Sequence, residues 1–170
     1  MLPGIATFLT GASTLTTTLI SGATGTAIGG MTGAGGVAAS FDGTTNQASV
    51  SCSRSAAASS GYVSNNAVGK DWGSGVTKTI TKMVAYSPND SGFLGSNAAI
   101  GWKLQGSTDN FSASTVDLAS GTAAGGTSDT VTVSGGSITT TTAYRYHRFV
   151  LNGNGANNTW CAEVQFYEDV

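Results

Sequence analysis

No stretch of ten or more residues in this chain sets its apolar side chains at the i, i+3, i+4 spacing of a helix, so its core has to be built from strands. Ile100-Gly101-Trp102-Lys103-Leu104-Gln105 alternates cleanly, which predicts Ile100, Trp102 and Leu104 on a buried face with Lys103 and Gln105 in water. Thr130-Val131-Thr132-Val133 predicts a second strand, bounded by Asp129 and by Gly135-Gly136. Residues 76–86 read as strand throughout, but Val76 and Ile80 share a parity with Val84 and Tyr86 while Met83 and Ala85 take the other. A bulge near Thr81-Lys82, or burial on both faces, would reconcile the two sets. Residues 144–151 and 160–167 are apolar at both parities, as strands in the middle of a packed sandwich should be. Twenty-five Gly and twenty-five Thr against two Pro fit the same picture of turns between β-branched runs.

The chain divides near Gly35-Gly36. Before that point no side chain carries charge, and the first charged residue is Asp42. Residues 9–20 are strand-prone, and residues 21–36 hold a Gly every few positions. Residues 1–36 therefore read as an assembly arm, and residues 37–170 as one β-sandwich domain. A free, uncharged, strand-prone arm invites pairing with other chains, so it is expected to dock in an assembly; for residues 14–20 a strand folded back on its own domain is the equal alternative. The basic n-region and continuous apolar core of a secretory signal are absent, and Gly and Thr interrupt every apolar stretch short of a membrane span, so no membrane insertion is expected.

Seven Lys and Arg against nine Asp and Glu leave no electropositive footprint for a phosphate backbone, which argues against nucleic acid. Cys52 and Cys161 lack the C-x-x-C spacing of zinc or redox motifs, so they are either one long-range disulfide or two buried thiols. Catalysis has little to work with. The single histidine, His147, alternates with Tyr146 and Arg148 inside a predicted strand, and Asp71, Asp90, Asp109, Asp117 and Asp129 sit beside turn residues rather than in pairs. No nucleophile elbow, phosphate loop or His-Glu-x-x-His pattern occurs, so the chain is expected not to be an enzyme.

Five segments, in order, resemble the discoidin or coagulation factor five/eight type C family of galactose-binding-like jelly rolls. They are Ser40-Phe41-Asp42-Gly43-Thr44-Thr45, similar to the family's Asp-Gly loop, and Gly69-Lys70-Asp71-Trp72-Gly73, similar to its turn before a strand. Next come Trp102-Lys103-Leu104-Gln105-Gly106-Ser107-Thr108-Asp109-Asn110-Phe111, Tyr144-Arg145-Tyr146-His147-Arg148-Phe149 and the terminal Ala162-Glu163-Val164-Gln165-Phe166-Tyr167. The resemblance spans residues 37–170 and implies an all-β galactose-binding-like jelly-roll sandwich carrying an extended N-terminal arm.

Many members of that family hold a structural calcium between the Asp-Gly loop and the alanine-glutamate pair, and hard oxygen ligands suit that ion. Carried over by position, the resemblance implies the carbonyls of Ala39, Thr44 and Ala162 and the carboxylates of Asp42 and Glu163. Gln47 stands where a threonine is common, and Thr44 where a further aspartate is common. The alternative is that Asp42 caps its own turn while Glu163 pairs with Arg145 or Arg148. Sugar binding in the family falls on loops at one end of the sandwich. Tyr62, Trp72 and Trp160, with Asn154, Asn157 and Asn158, are the candidates, because a C-H sugar face suits an aromatic plane and its hydroxyls suit amides. Core or turn packing is the competing role for each Trp. Where sugar-binding members carry an arginine after the strand ending Ala85-Tyr86-Ser87, this chain has Pro88.

Composition and arm together resemble virion proteins of phages. The leading expectation is a non-enzymatic decoration protein of a capsid, tail or fibre, a homo-oligomer such as a trimer, docked on other virion proteins through its arm and facing host surface glycans. A secreted carbohydrate-binding module of a larger glycosidase and a ligand-free cement domain are the alternatives.

Overall fold

The structure, a computed structural model, describes residues 15–170. In chain order its strands begin with β1 (Thr17–Leu19), β2 (Thr26–Gly29), β3 (Gly33–Ala34), β4 (Ser53–Arg54) and β5 (Ser60–Gly61). They continue with β6 (Ala67–Asp71), β7 (Lys82–Tyr86), β8 (Ile100–Ser107), β9 (Val116–Ala123) and β10 (Thr130–Ser134). The last are β11 (Tyr146–Leu151), β12 (Gly153–Asn154), β13 (Trp160–Cys161) and β14 (Glu163–Asp169). The rest of the described chain is turn, loop and short 3-10 segments, so the molecule is all-β as expected.

Two antiparallel sheets, ordered β1-β14-β7-β10 and β2-β6-β11-β8-β9, form a jelly-roll sandwich. Its core takes Met83, Ala85, Val131, Val133, Val164 and Phe166 from the first sheet and Val68, Trp102, Leu104, Leu118, Phe149 and Leu151 from the second. Alternation works as the sequence predicts in β10, where Val131 and Val133 are buried and Thr130 and Thr132 exposed. Strand β11 is buried at every residue because it lies between β6 and β8 and is covered on both faces. Phe149 and Leu151 enter the core, while Phe111 covers the opposite face by meeting Tyr146 edge-on at 6.4 Å and the Arg148 guanidinium at 4.1 Å.

Several expectations change. Gln105 is buried rather than in water, because it bridges Arg148 Nε, which donates to its Oε1 at 2.8 Å, and Asp117, which accepts from its Nε2 at 2.6 Å. Of residues 76–86 only Lys82–Tyr86 is strand, and the mixed parity there reflects burial of Met83, Val84 and Ala85 together in an interior strand. The segment read as a turn at residues 69–73 is strand up to Asp71; the turn follows, with Asp71 Oδ1 accepting from Gly73 N at 2.9 Å. Cys52 and Cys161 are two buried free thiols.

The division at Gly35-Gly36 does not separate an arm from a domain among the described residues. Strand β1 pairs with β14 and β2 with β6, so both join the two sheets of the sandwich, while β3 pairs with β4 in a smaller sheet shared with β13. The fold-back alternative holds for residues 15–20: Ile20 is buried, and its N–H donates to Phe166 O at 2.8 Å. Residues 1–14, with most of the strand-prone run beginning at Leu9, lie outside the described residues.

Candidate functional site

The pairing of β4 with β13 places Arg54 opposite Trp160, and the Arg54 guanidinium lies over the indole at 5.3 Å. Both side chains are half-buried. Buried polar groups beneath fix the pair. Thr159 N donates to Ser55 Oγ at 3.0 Å and Thr159 Oγ1 to Asn66 Oδ1 at 3.2 Å, while the Asn66 amide donates to the carbonyls of Ser59 and Gly61. The loop between β7 and β8 closes over one side: Gly95 N donates to Asn158 O at 2.9 Å and Trp160 N to Phe93 O at 2.9 Å. A side chain at Gly95 would meet Trp160 Nε1 and Asn157, so glycine keeps the indole edge open.

Arg54 joins none of the ion pairs among the described residues, which are Lys78–Glu168, Lys103–Asp117 and Arg145–Asp71. Its Nε is buried without a hydrogen-bond partner. A Cβ at Gly33 on β3 would lie 3.0 Å from that nitrogen, so this strand leaves only enough room for the guanidinium. Its terminal guanidinium nitrogens enter no hydrogen bond among the described residues, and these, rather than the enclosed Nε, are the donors left for a ligand.

The sugar-contact candidates thus separate. Asn157, Asn158 and Trp160 come together around Gly95, and Arg54 lies over the indole of Trp160; sequence reasoning missed Arg54 because nothing local marks residue 54 as the cross-strand neighbour of residue 160. Asn154 stands at the start of the same loop, but its Oδ1 is engaged in holding the turn, accepting from Ala156 N and Asn157 N at 3.0 and 2.9 Å. Tyr62 sits elsewhere, its hydroxyl against Gly101 and its ring beneath Lys103 Nζ at 4.7 Å. Trp72 is not available to a ligand. It is only 5 % exposed, packs on Phe166 and donates from Nε1 to His147 Nδ1 at 2.8 Å. His147 is fully buried, and that burial lowers its pKa to about 3, so it is a neutral core residue at physiological pH.

The residues implied as calcium ligands do converge. A 3-10 turn, Val37–Phe41, leads into the Asp-Gly loop, which Gly43 reverses with φ of 85°. Ser40 Oγ donates to Cys161 O at 2.9 Å and ties this loop to β13. Asp42 Oδ1 accepts from Thr44 N at 2.8 Å, the turn cap anticipated for it. Glu163 pairs with neither Arg145, which holds Asp71, nor Arg148, which holds Gln105. It accepts instead from Gly43 N at 3.2 Å, and burial raises its pKa to about 7.

The oxygens of this cradle point at the Gln47 side chain. Its Nε2 donates to Ala39 O at 3.1 Å, Thr44 O at 3.0 Å, Ala162 O at 3.1 Å and Asp42 Oδ1 at 3.3 Å. Calcium takes oxygens at about 2.3–2.6 Å from its centre, so an ion and this nitrogen cannot share the position. As folded, the residue set does not fit the cation.

No known family profile matches the chain, and no curated protein matches it. Solved structures do. A family 62 carbohydrate-binding module from Clostridium thermocellum Xyl5A is 22% identical with a TM-score of 0.58, over 86% of this chain and 95% of that one. The family 32 module of AlyQ, in complex with 4,5-unsaturated mannuronic acid, is 24% identical with a TM-score of 0.57, over 83% of this chain and 92% of that one. The family 32 module of Clostridium perfringens NanJ, in complex with galactose, is 13% identical with a TM-score of 0.60, over 90% of this chain and the whole of that one. At these identities the likeness establishes the shared fold.

Proposed function

We propose that this chain is a non-catalytic carbohydrate-binding module that holds a pyranose glycan against Trp160 and Arg54. The observation that carries it is the Arg54 guanidinium, unpaired with any carboxylate among the described residues, lying over a half-buried indole beside the Asn157-Asn158 loop. A sugar's C-H face stacks on the indole, its hydroxyls or a ring carboxylate accept from the guanidinium, and the neutral amides donate and accept around the rim. Arg54 also answers the missing arginine at Pro88: the cation comes from β4 rather than from the loop after β7. That similar modules bind galactose and an unsaturated mannuronic acid supports a glycan partner.

The module reading is favoured over a virion appendage. The assembly role drew on composition and on a free arm, and residues 15–36 form strands and turns paired with the domain's own strands. Affinity electrophoresis of the full chain through gels carrying galactose-rich or uronate-rich polysaccharides tests the proposal. Retardation by one of them, lost in Arg54→Ala and Trp160→Ala, is expected. Migration unaffected by every polysaccharide, or retardation that survives both substitutions, overturns it.

A further inference from the structure

We propose that the Gln47 side-chain amide takes the place of a cation at the meeting point of the Asp-Gly loop and the Ala162-Glu163 pair, making this sandwich independent of divalent metal.

Four acceptor oxygens from two separate stretches of chain converge on one nitrogen. Ala39 O, Asp42 Oδ1 and Thr44 O come from the loop, and Ala162 O comes from the link between β13 and β14. The geometry fixes which amide atom faces them, because an oxygen there would confront four other oxygens with no proton between. The NH2 group has two hydrogens for four acceptors, so each is shared. That is the arrangement of a compact positive centre in an oxygen cage, supplied by a neutral side chain. Gln47 is 8 % exposed, and its backbone is held as well: its carbonyl accepts from Asn89 N at 3.0 Å.

Chain length explains why glutamine performs this task. A hydroxyl on a two-atom side chain stops at the wall of the cage and leaves its centre to an ion. The amide of Gln47 reaches the centre, and its own Nε2 links the loop to the C-terminal strand as an ion would. Glu163 then lies outside the nitrogen's shell, accepting from Gly43 N. The cage therefore remains one substitution away from a cation site.

The experiment measures the melting temperature of the full chain in EDTA and in calcium chloride, together with the calcium content of protein purified without chelator. The wild-type chain should contain no stoichiometric calcium and melt at the same temperature in both. Gln47→Glu keeps the volume but puts a carboxylate among the oxygens. It should melt lower in EDTA and recover by about 5 °C or more in saturating calcium, since a bound ligand stabilises by mass action. Gln47→Ser, which empties the centre, serves if that variant does not fold, and should show the same calcium-dependent recovery. Stoichiometric calcium in the wild type, a wild-type melting point that rises with calcium, or variants that fold yet ignore calcium would each overturn the proposal.

Discussion

The indole Nε1 of Trp72 donates to Nδ1 of His147 across 2.8 Å of fully buried core, leaving His147 Nε2 with the ring's proton and no hydrogen-bond partner. Tyr144 stands edge-on to that imidazole at 5.9 Å and Phe166 tilts against it at 6.3 Å, while Lys70 is its cross-strand partner on β6. A cation in this position has aromatic rings around it but no carboxylate, so the folded state keeps the ring neutral.

Acid should therefore weaken the fold through His147. Its pKa falls from 6.5 to about 3 on folding, so between those values the unfolded chain binds a proton that the folded chain refuses. The contribution is nil above about pH 6.5 and grows to roughly 1.4 kcal/mol of lost stability per pH unit below it. His147→Asn retains an acceptor for Trp72 without titrating. Denaturant melts of both proteins from pH 7.5 to 4 should show their stability difference narrowing as pH falls; a constant gap across that range counts against the assignment. At neutral pH, Trp72→Phe, which strands the Nδ1 acceptor, should cost about 1–3 kcal/mol.

Glycan affinity should depend on the corner where β4 meets β13 and on no other aromatic. Trp160→Ala and Arg54→Ala should each weaken binding about tenfold or more, near 1.4 kcal/mol, by calorimetry with the retarding polysaccharide's oligosaccharides. Tyr62→Ala should bind as wild type, because its ring serves Lys103 and Gly101. Equal losses at residues 62 and 160 would place the sugar elsewhere.

Both thiols should be silent in the folded protein. Burial lifts Cys52 to about 12 and raises Cys161 further, so neither supplies thiolate at neutral pH. A chromogenic disulfide reagent should read no thiol natively and two in denaturant, and reductant should leave the melting temperature unchanged. A drop on reduction would reveal a disulfide instead.

The first strand should stabilise the domain that follows it. Removing residues 1–20 takes away β1 and Ile20, whose burial is worth about 1.5–3 kcal/mol, and bares the edge of β14. The shortened chain should melt lower by about 5 °C or more and aggregate more readily. An unchanged melting point would mean that the pairing with β14 contributes nothing.

Much of the fold was legible because strand patterning is local. Ile100, Trp102 and Leu104 declare a buried face through their spacing alone, and Val131 and Val133 do the same. Both-face apolarity marked β11 as interior. The resemblance carried Asp42 and Glu163 to one place, and their loops do meet there. Less was legible where a side chain's surroundings come from distant chain. Trp72 and Trp160 look equivalent in sequence, yet Phe166 and His147 enclose one while a glycine at position 95 leaves room beside the other.

By itself the sequence determined an all-β sandwich, since period-two runs between Gly-rich turns admit little else. Only the tertiary structure decided that Arg54 lies over Trp160, that residues 15–36 pair with the domain's own strands, and that the Gln47 amide fills the oxygen cage. Each of those depends on which strands pair across the sandwich. Pairing is settled by the burial of the whole core at once, and no local stretch of residues encodes it.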